Sequence, residues 1–288
     1  MEWAARHAVA IGAALLAAFF AAVGIVIRQR AIQAEAAHRN DTSAIVTSWV
    51  RRPAWWAGTL VAVGGYLCQA LALAHGSLLL VQPLLVSALL FVLPLGARFS
   101  KQHVTAADWC WAVLLTAALA AFVLVGQPRE GHYRPPVPAW SVALAGAIPV
   151  VILCVVAAHR TVGRTRAMLL ATSVAVLVGV IAVLTKVSVH HLIMHGWRGL
   201  LTVPAPYLLI VLAVAVTVLQ QSAFHAGALQ ASVPVMLVGE PMVAVLLGVV
   251  ILGEHLAVRG PGGLVLAVAV SAMTAATIAL GLIFHDAA

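Results

Sequence analysis

Apolar residues in this chain come in runs of about twenty, separated by short polar breaks, and each run is long enough to cross a bilayer as helix. The runs predict nine helices near residues 7–27, 54–75, 77–97, 107–125, 138–158, 167–187, 206–226, 232–252 and 264–284. A polar stretch, 28–53, follows the first and carries a short amphipathic piece near 45–50, too short to cross and expected at the membrane surface. Segment 188–204, with His190, His191, His195, Trp197 and Arg198, reads as a looser connection. The Pro-rich stretch 127–137 reads as a linker between a first repeat, 1–126, and a second, 138–288.

Two stretches have the same order of features, an apolar end, a small-residue break and a second apolar run with proline near its start. They are 64–96 and 220–254. At a constant offset Leu79 meets Leu237, Gln82-Pro83 meets Glu240-Pro241, Leu89 meets Leu247, and Val92 meets Val250. Such halves predict a transporter with its site where they meet.

Composition agrees with a multi-pass membrane protein. Hydrophobic residues make up 64% and charged residues 8%, and the mean hydropathy is +1.09, against about 25% charged in soluble domains. The net charge of +8 is strung along the connections, with no basic run interleaved with aromatics, which excludes nucleic acid as a partner. Cys68, Cys110 and Cys154 all fall inside apolar runs without CxxC spacing, as small core residues do. The first run lacks a small-residue cleavage site and reads as a retained helix.

The basic residues also set an orientation. With the N-terminus outside, Arg28, Arg30, Arg39, Arg51, Arg52, Arg98, Lys101, Arg160, Arg164 and Arg166 are cytoplasmic, against Arg6, Arg129, Arg134, Arg198 and Arg259 outside. That split predicts an outside N-terminus and a cytoplasmic C-terminus in the cell membrane, and it makes the two repeats inverted.

Intramembrane ionisable groups mark function by default. Glu2, Glu35, Asp41, Glu130, Glu254 and Asp286 fall in loops, termini or helix ends, and Asp108 suits a helix start, leaving Glu240 as the one acid well inside a run. Glu240, its counterpart Gln82, and Tyr66, Gln69, Gln220, Gln221 and His225 are the candidate substrate or coupling residues. Tyr66 and Gln69 share a helix face, as do Gln221 and His225; interhelical hydrogen bonding is their other reading. Pro83, Pro234 and Pro241 are expected helix breaks that free carbonyls toward a cavity between helices 2, 3, 7 and 8. Lys186 is expected to snorkel from a helix end. The three histidines lack a carboxylate or cysteine to complete a tetrahedral metal set, so a metal site is left open. No nucleotide-binding or nucleophile motif occurs in a usable context, so no cofactor and no enzyme activity are expected.

Ala228-Leu229, Pro241, Gly253 and Glu254 match the "AL…P…G…E" signature of the drug/metabolite transporter superfamily, which the chain resembles. Gly24-Ile25-Val26-Ile27-Arg28, Trp55-Trp56-Ala57-Gly58 and Leu80-Val81-Gln82-Pro83-Leu84 resemble its NIPA-like magnesium transporter branch. That branch's helix 2 motif, Gly-Glu-x-x-Asn, has Tyr66 and Gln69 at its Glu and Asn positions here. The resemblance implies an all-α bundle of two inverted repeats that moves a small solute by alternating access. The solute is an organic metabolite, drug-like or lipid-like molecule, with proton coupling through Glu240, or alternatively Mg²⁺. A homodimer in the lipid bilayer is compatible with both. A membrane scaffold that transports nothing, and a membrane enzyme built on His190, His191 and His195, are the rival readings.

Overall fold

The protein is an all-α membrane protein in a computed structural model that describes residues 7–36, 53–99, 105–131, 137–226, 229–258 and 262–286. The helices are α1 (Ala8–Ala36), α2 (Pro53–His75), α3 (Leu78–Leu85), α4 (Ala88–Phe99), α5 (Ala106–Gly126), α6 (Val137–His159), α7 (Gly163–Leu200), α8 (Ala205–His225), α9 (Leu229–Leu252) and α10 (Gly262–Asp286). Among the described residues, six stretches are long and apolar enough to cross a membrane: Leu78–Leu95, Ala106–Gly126, Pro138–His159, Gly163–Leu200, Val235–Leu252 and Gly262–Leu280. Shorter apolar helices, Ala8–Gly24, Leu60–His75 and Ala205–Gln220, accompany them. Leu60, Leu67, Val113, Leu153, Val218 and Leu264 all face outward. A helix bundle in water would turn such side chains in, whereas in hydrocarbon nothing is gained by hiding them.

Small residues set how closely the helices approach. A Cβ on Gly179 of α7 would lie 2.9 Å from Val243 Cβ, and one on Gly239 of α9 would lie 2.8 Å from Ala175 Cβ, so α7 and α9 pack nearly backbone to backbone. α1 lies along α2 in the same manner, with Gly65 under Phe20. α5 packs on α10 through Leu115, Leu119, Ala276 and Leu280. The main core joins α1, α2, α3, α7 and α9 through Ala14, Leu73, Leu78, Leu80, Val183 and Leu252.

Several expectations are corrected. The third apolar run is not one helix. Pro83 offers no N–H to the Leu79 carbonyl, and Val86 and Ser87 instead make tight bonds to the Pro83 and Leu84 carbonyls, which ends α3 and starts α4 afresh. By contrast α9 passes through Pro234 and Pro241 without a break, because tight packing on α7 holds the turns that flank each missing bond. Segment 188–204 is helical for most of its length: α7 continues past 188 as far as Gly196, where a non-helical residue (φ 68°, ψ −177°) kinks the chain, and a short helical piece then runs to Leu200. The start of the linker is held in place: a two-residue strand, β1 (Pro128–Arg129), pairs antiparallel with β2 (His255–Leu256), and Ala257 N–H donates to the Gly126 carbonyl. Asp108 behaves as expected: Thr105 and Asp108 form a capping box at the start of α5. The amphipathic piece near 45–50 and most of the basic residues that set the orientation lie outside the described residues or side chains.

Candidate functional site

Halfway along the bundle, α1, α2, the α3–α4 break and α9 line a half-open cavity of about 390 Å³, within the range of small-molecule sites, about 300–1,000 Å³. Five of the residues singled out from sequence meet there: Tyr66 and Gln69 from α2, Gln82 from α3, and Glu240 and Pro241 from α9. Ala17, Ala21, Leu85 and Leu237 are among the apolar walls. Pro83 is buried beside the cavity, inside the short helix carrying Gln82 and two residues before that helix stops at Leu85. Gln220 lies on α8, which contributes none of the described lining; α1 takes the place expected for that helix. Gln221, His225 and Pro234 belong to the described helices, but their side chains lie outside what is described.

The polar groups in this cavity are not equivalent. Thr185 Oγ1 donates to the Ile181 carbonyl at 2.8 Å, so its single proton is committed. The 2.8 Å contact between Tyr66 Oη and Thr185 Oγ1 is therefore donated by tyrosine, which leaves the phenol oxygen free to accept. Gln82 is 1% exposed, and its Nε2 makes no hydrogen bond among the described residues. A buried amide N–H without an acceptor costs about 1–3 kcal/mol, so this donor suits an acceptor on a guest in the cavity. Glu240, on the facing helix, brings the one carboxylate among the described lining residues, and no Lys or Arg is among them.

One turn away from Gln82 lies a cluster that sequence reasoning missed. Glu254 is 1% and Lys186 2% exposed, against the expected loop position and snorkelling side chain. Gly253, at φ +66°, ends α9 in a left-handed cap with its N–H on the Val249 carbonyl, and this turn sends Glu254 back into the bundle. Glu254 Oε1 accepts from Leu78 N–H at 2.9 Å and from Lys186 Nζ at 2.8 Å, and Oε2 accepts from Leu79 N–H at 3.0 Å. Lys186 Nζ also donates to the Gly76 carbonyl at 2.8 Å. Ser77 Oγ accepts from Leu80 N–H, so the open N–H groups that begin α3 are met by two side chains, one of them an anion at the positive end of the helix. Lys186 does not snorkel: α7 runs on past it as far as the Gly196 kink, and its ammonium is turned inward onto Glu254. The available signal was charge itself: a lysine inside an apolar run needs a buried partner.

His191 and His195 stack with ring centroids 4.3 Å apart on α7, and among the described residues no group of three or more His, Cys, Asp or Glu could hold a metal ion.

Comparison with known proteins yields one extended match. A protein of Corynebacterium glutamicum, named Uncharacterized protein Cgl0250/cg0304, is 34% identical over 267 residues, spanning 93% of this chain and 92% of its own. No family model matches the chain. No solved structure matches it either.

Proposed function

We propose that this chain, which belongs to the same family as that Corynebacterium glutamicum protein, is a secondary transporter moving a small neutral or cationic organic solute by alternating access. The observation that carries the reading is the Gln82 amide, buried without an acceptor among the described residues in a mid-bundle cavity that Glu240 also lines. Without Lys or Arg in the described lining, an anion would meet only a carboxylate and neutral dipoles, so the cargo is neutral or positive. Apolar walls suit an organic body. The Gln82 N–H suits a carbonyl or hydroxyl on the guest, and Glu240 couples transport to protons.

Helix packing supports two inverted repeats of the drug/metabolite transporter kind. α1 packs along α2 and α4 as α7 packs along α8 and α9, and the equivalent pairs α3 with α9 and α5 with α10 meet each other. α6, the most outward of the long helices, is then the odd one. In this reading nine segments cross the plasma membrane, with the N-terminus outside and the C-terminus in the cytoplasm.

Mg²⁺ is the second cargo reading, favoured by oxygen donors on Glu240, Gln82 and Gln69 around a space large enough for a hydrated ion. The test is uptake into liposomes holding the purified protein, across a panel of amines, amides, polyols, amphipathic cations and Mg²⁺. Accumulation of one class that Gln82→Leu abolishes supports the reading. Uptake of anions alone, or of nothing above protein-free vesicles, overturns it.

A further inference from the structure

We infer that Lys186 and Glu254 form a latch that closes one end of the cavity, an inference that rests on the transport reading above. Lys186 and Glu254 belong to the second half of the chain, while Gly76, Leu78 and Leu79 belong to the first, and the pair makes four hydrogen bonds, including its own ion pair, at this junction. Gln82 lies four residues, or roughly 6 Å along the helix axis, beyond Leu78. Between the latch and the level of the cavity, Leu73, Leu78, Leu80, Val81 and Leu252 are all 0–1% exposed, so this end is sealed.

The sealed end has the parts of a two-state element. α3 has only eight residues, is held at its start by Glu254, and stops at the Val86–Ser87 turn, so it is a short segment fixed at one end and hinged at the other. Tyr66, in the cavity wall, is bonded to Thr185, the residue before Lys186, which ties the cavity to the latch through α7. The charges themselves disfavour half-open states. Closed, each charge is met by the other and by backbone dipoles; fully open, each is met by water. A partial opening leaves an ammonium or a carboxylate in hydrocarbon with neither.

Thiol accessibility tests the latch without any solute, so the transport reading can fail while the latch stands, and the reverse. In a chain with Cys68, Cys110 and Cys154 changed to Ala, Leu79→Cys reports on the latch. Leu115→Cys, wholly buried in the α5–α10 core, reports on the bundle at large. A membrane-impermeant maleimide is applied to each face of sealed proteoliposomes. Both cysteines resist labelling with the latch intact. Glu254→Gln removes the carboxylate charge that faces the Lys186 ammonium, and the Leu79 position then labels at least about tenfold faster from one face while the Leu115 position still resists. Adding Lys186→Met removes that ammonium and brings labelling back to within about threefold of the parent. If Glu254→Gln does not fold, Lys186→Met alone replaces it, since Glu254 keeps its two backbone donors, and the same one-sided labelling is expected. The latch is overturned by a folded single variant whose Leu79 position stays blocked, by a double variant as reactive as the single, or by labelling of both positions together.

Discussion

Glu254 Oε1 and Lys186 Nζ lie 2.8 Å apart with side chains 0% and 3% exposed, although 68 positions separate them in sequence. This ion pair joins the end of α9 to the middle of α7 and, through three backbone groups, to the start of α3. Its removal should be strongly asymmetric. Lys186→Ala or Glu254→Ala alone is expected to destabilise the bundle by about 3–5 kcal/mol, because each leaves a buried charge unmatched. Lys186→Met with Glu254→Gln should cost much less than the sum. Unfolding of the four forms in mixed micelles, read as a double-mutant cycle, measures the difference.

Gln82 and stability pull in opposite directions. Gln82→Leu keeps the volume and removes an amide that has no acceptor among the described residues, so the empty protein should gain about 1–2 kcal/mol. Transport should fall at least tenfold in the same variant. A melting curve and a solute-uptake rate on one preparation decide it; loss of both stability and transport would mean the amide is packing rather than ligand-directed.

Glu240→Gln keeps size and hydrogen bonding while removing titration and charge. The variant is expected to insert and fold normally yet lose gradient-driven accumulation, with exchange of solute across the membrane retained. Accumulation and exchange measured across a range of pH separate coupling from binding; accumulation at the wild-type rate throughout would remove Glu240 from the mechanism.

Gly179 admits no side chain without moving α9, since a Cβ there would meet Val243 and lie 3.1 Å from the Ala244 nitrogen. Gly179→Val should therefore destabilise by about 1–3 kcal/mol. Gly146, with open space around it, is the matched control, and Gly146→Val should cost less in the same denaturation assay.

His190, His191 and His195 should all tolerate change to Ala, with transport within about twofold and folding preserved. His191 and His195 stack on each other, and among the described residues no group of three or more His, Cys, Asp or Glu could hold a metal ion. A stoichiometric bound metal, lost in the triple variant, would reverse this expectation.

Much of the candidate site was legible because hydrocarbon is an unforgiving solvent. Glu240 stood out as the acid inside a run, Gln82 followed from the repeat offset, and Tyr66 and Gln69 followed from helical spacing; all four line one cavity. Gln220 followed from the same reasoning and does not line it, since spacing along α8 says which residues share a face but not what that face meets. Proline was misread in part: Pro83 lies inside α3 shortly before its break at Val86–Ser87, while Pro241 sits in an unbroken α9. A missing N–H weakens a helix, and packing on neighbours decides whether it parts.

The sequence by itself determined that this chain is an all-helical membrane protein, since runs of about twenty apolar residues have no other stable solution in a bilayer. It also determined where the isolated polar groups lie along each run. Tertiary structure alone decided which of those groups meet. Lys186 looked like a helix end because the apolar run stops near it, but α7 continues past it to the Gly196 kink, and its ammonium is held inside. Glu254 looked like a loop residue, yet the left-handed turn at Gly253 folds it back onto the start of α3. Periodicity reports the environment of one helix, whereas a buried ion pair depends on the distance between two, and only the packed bundle fixes that distance.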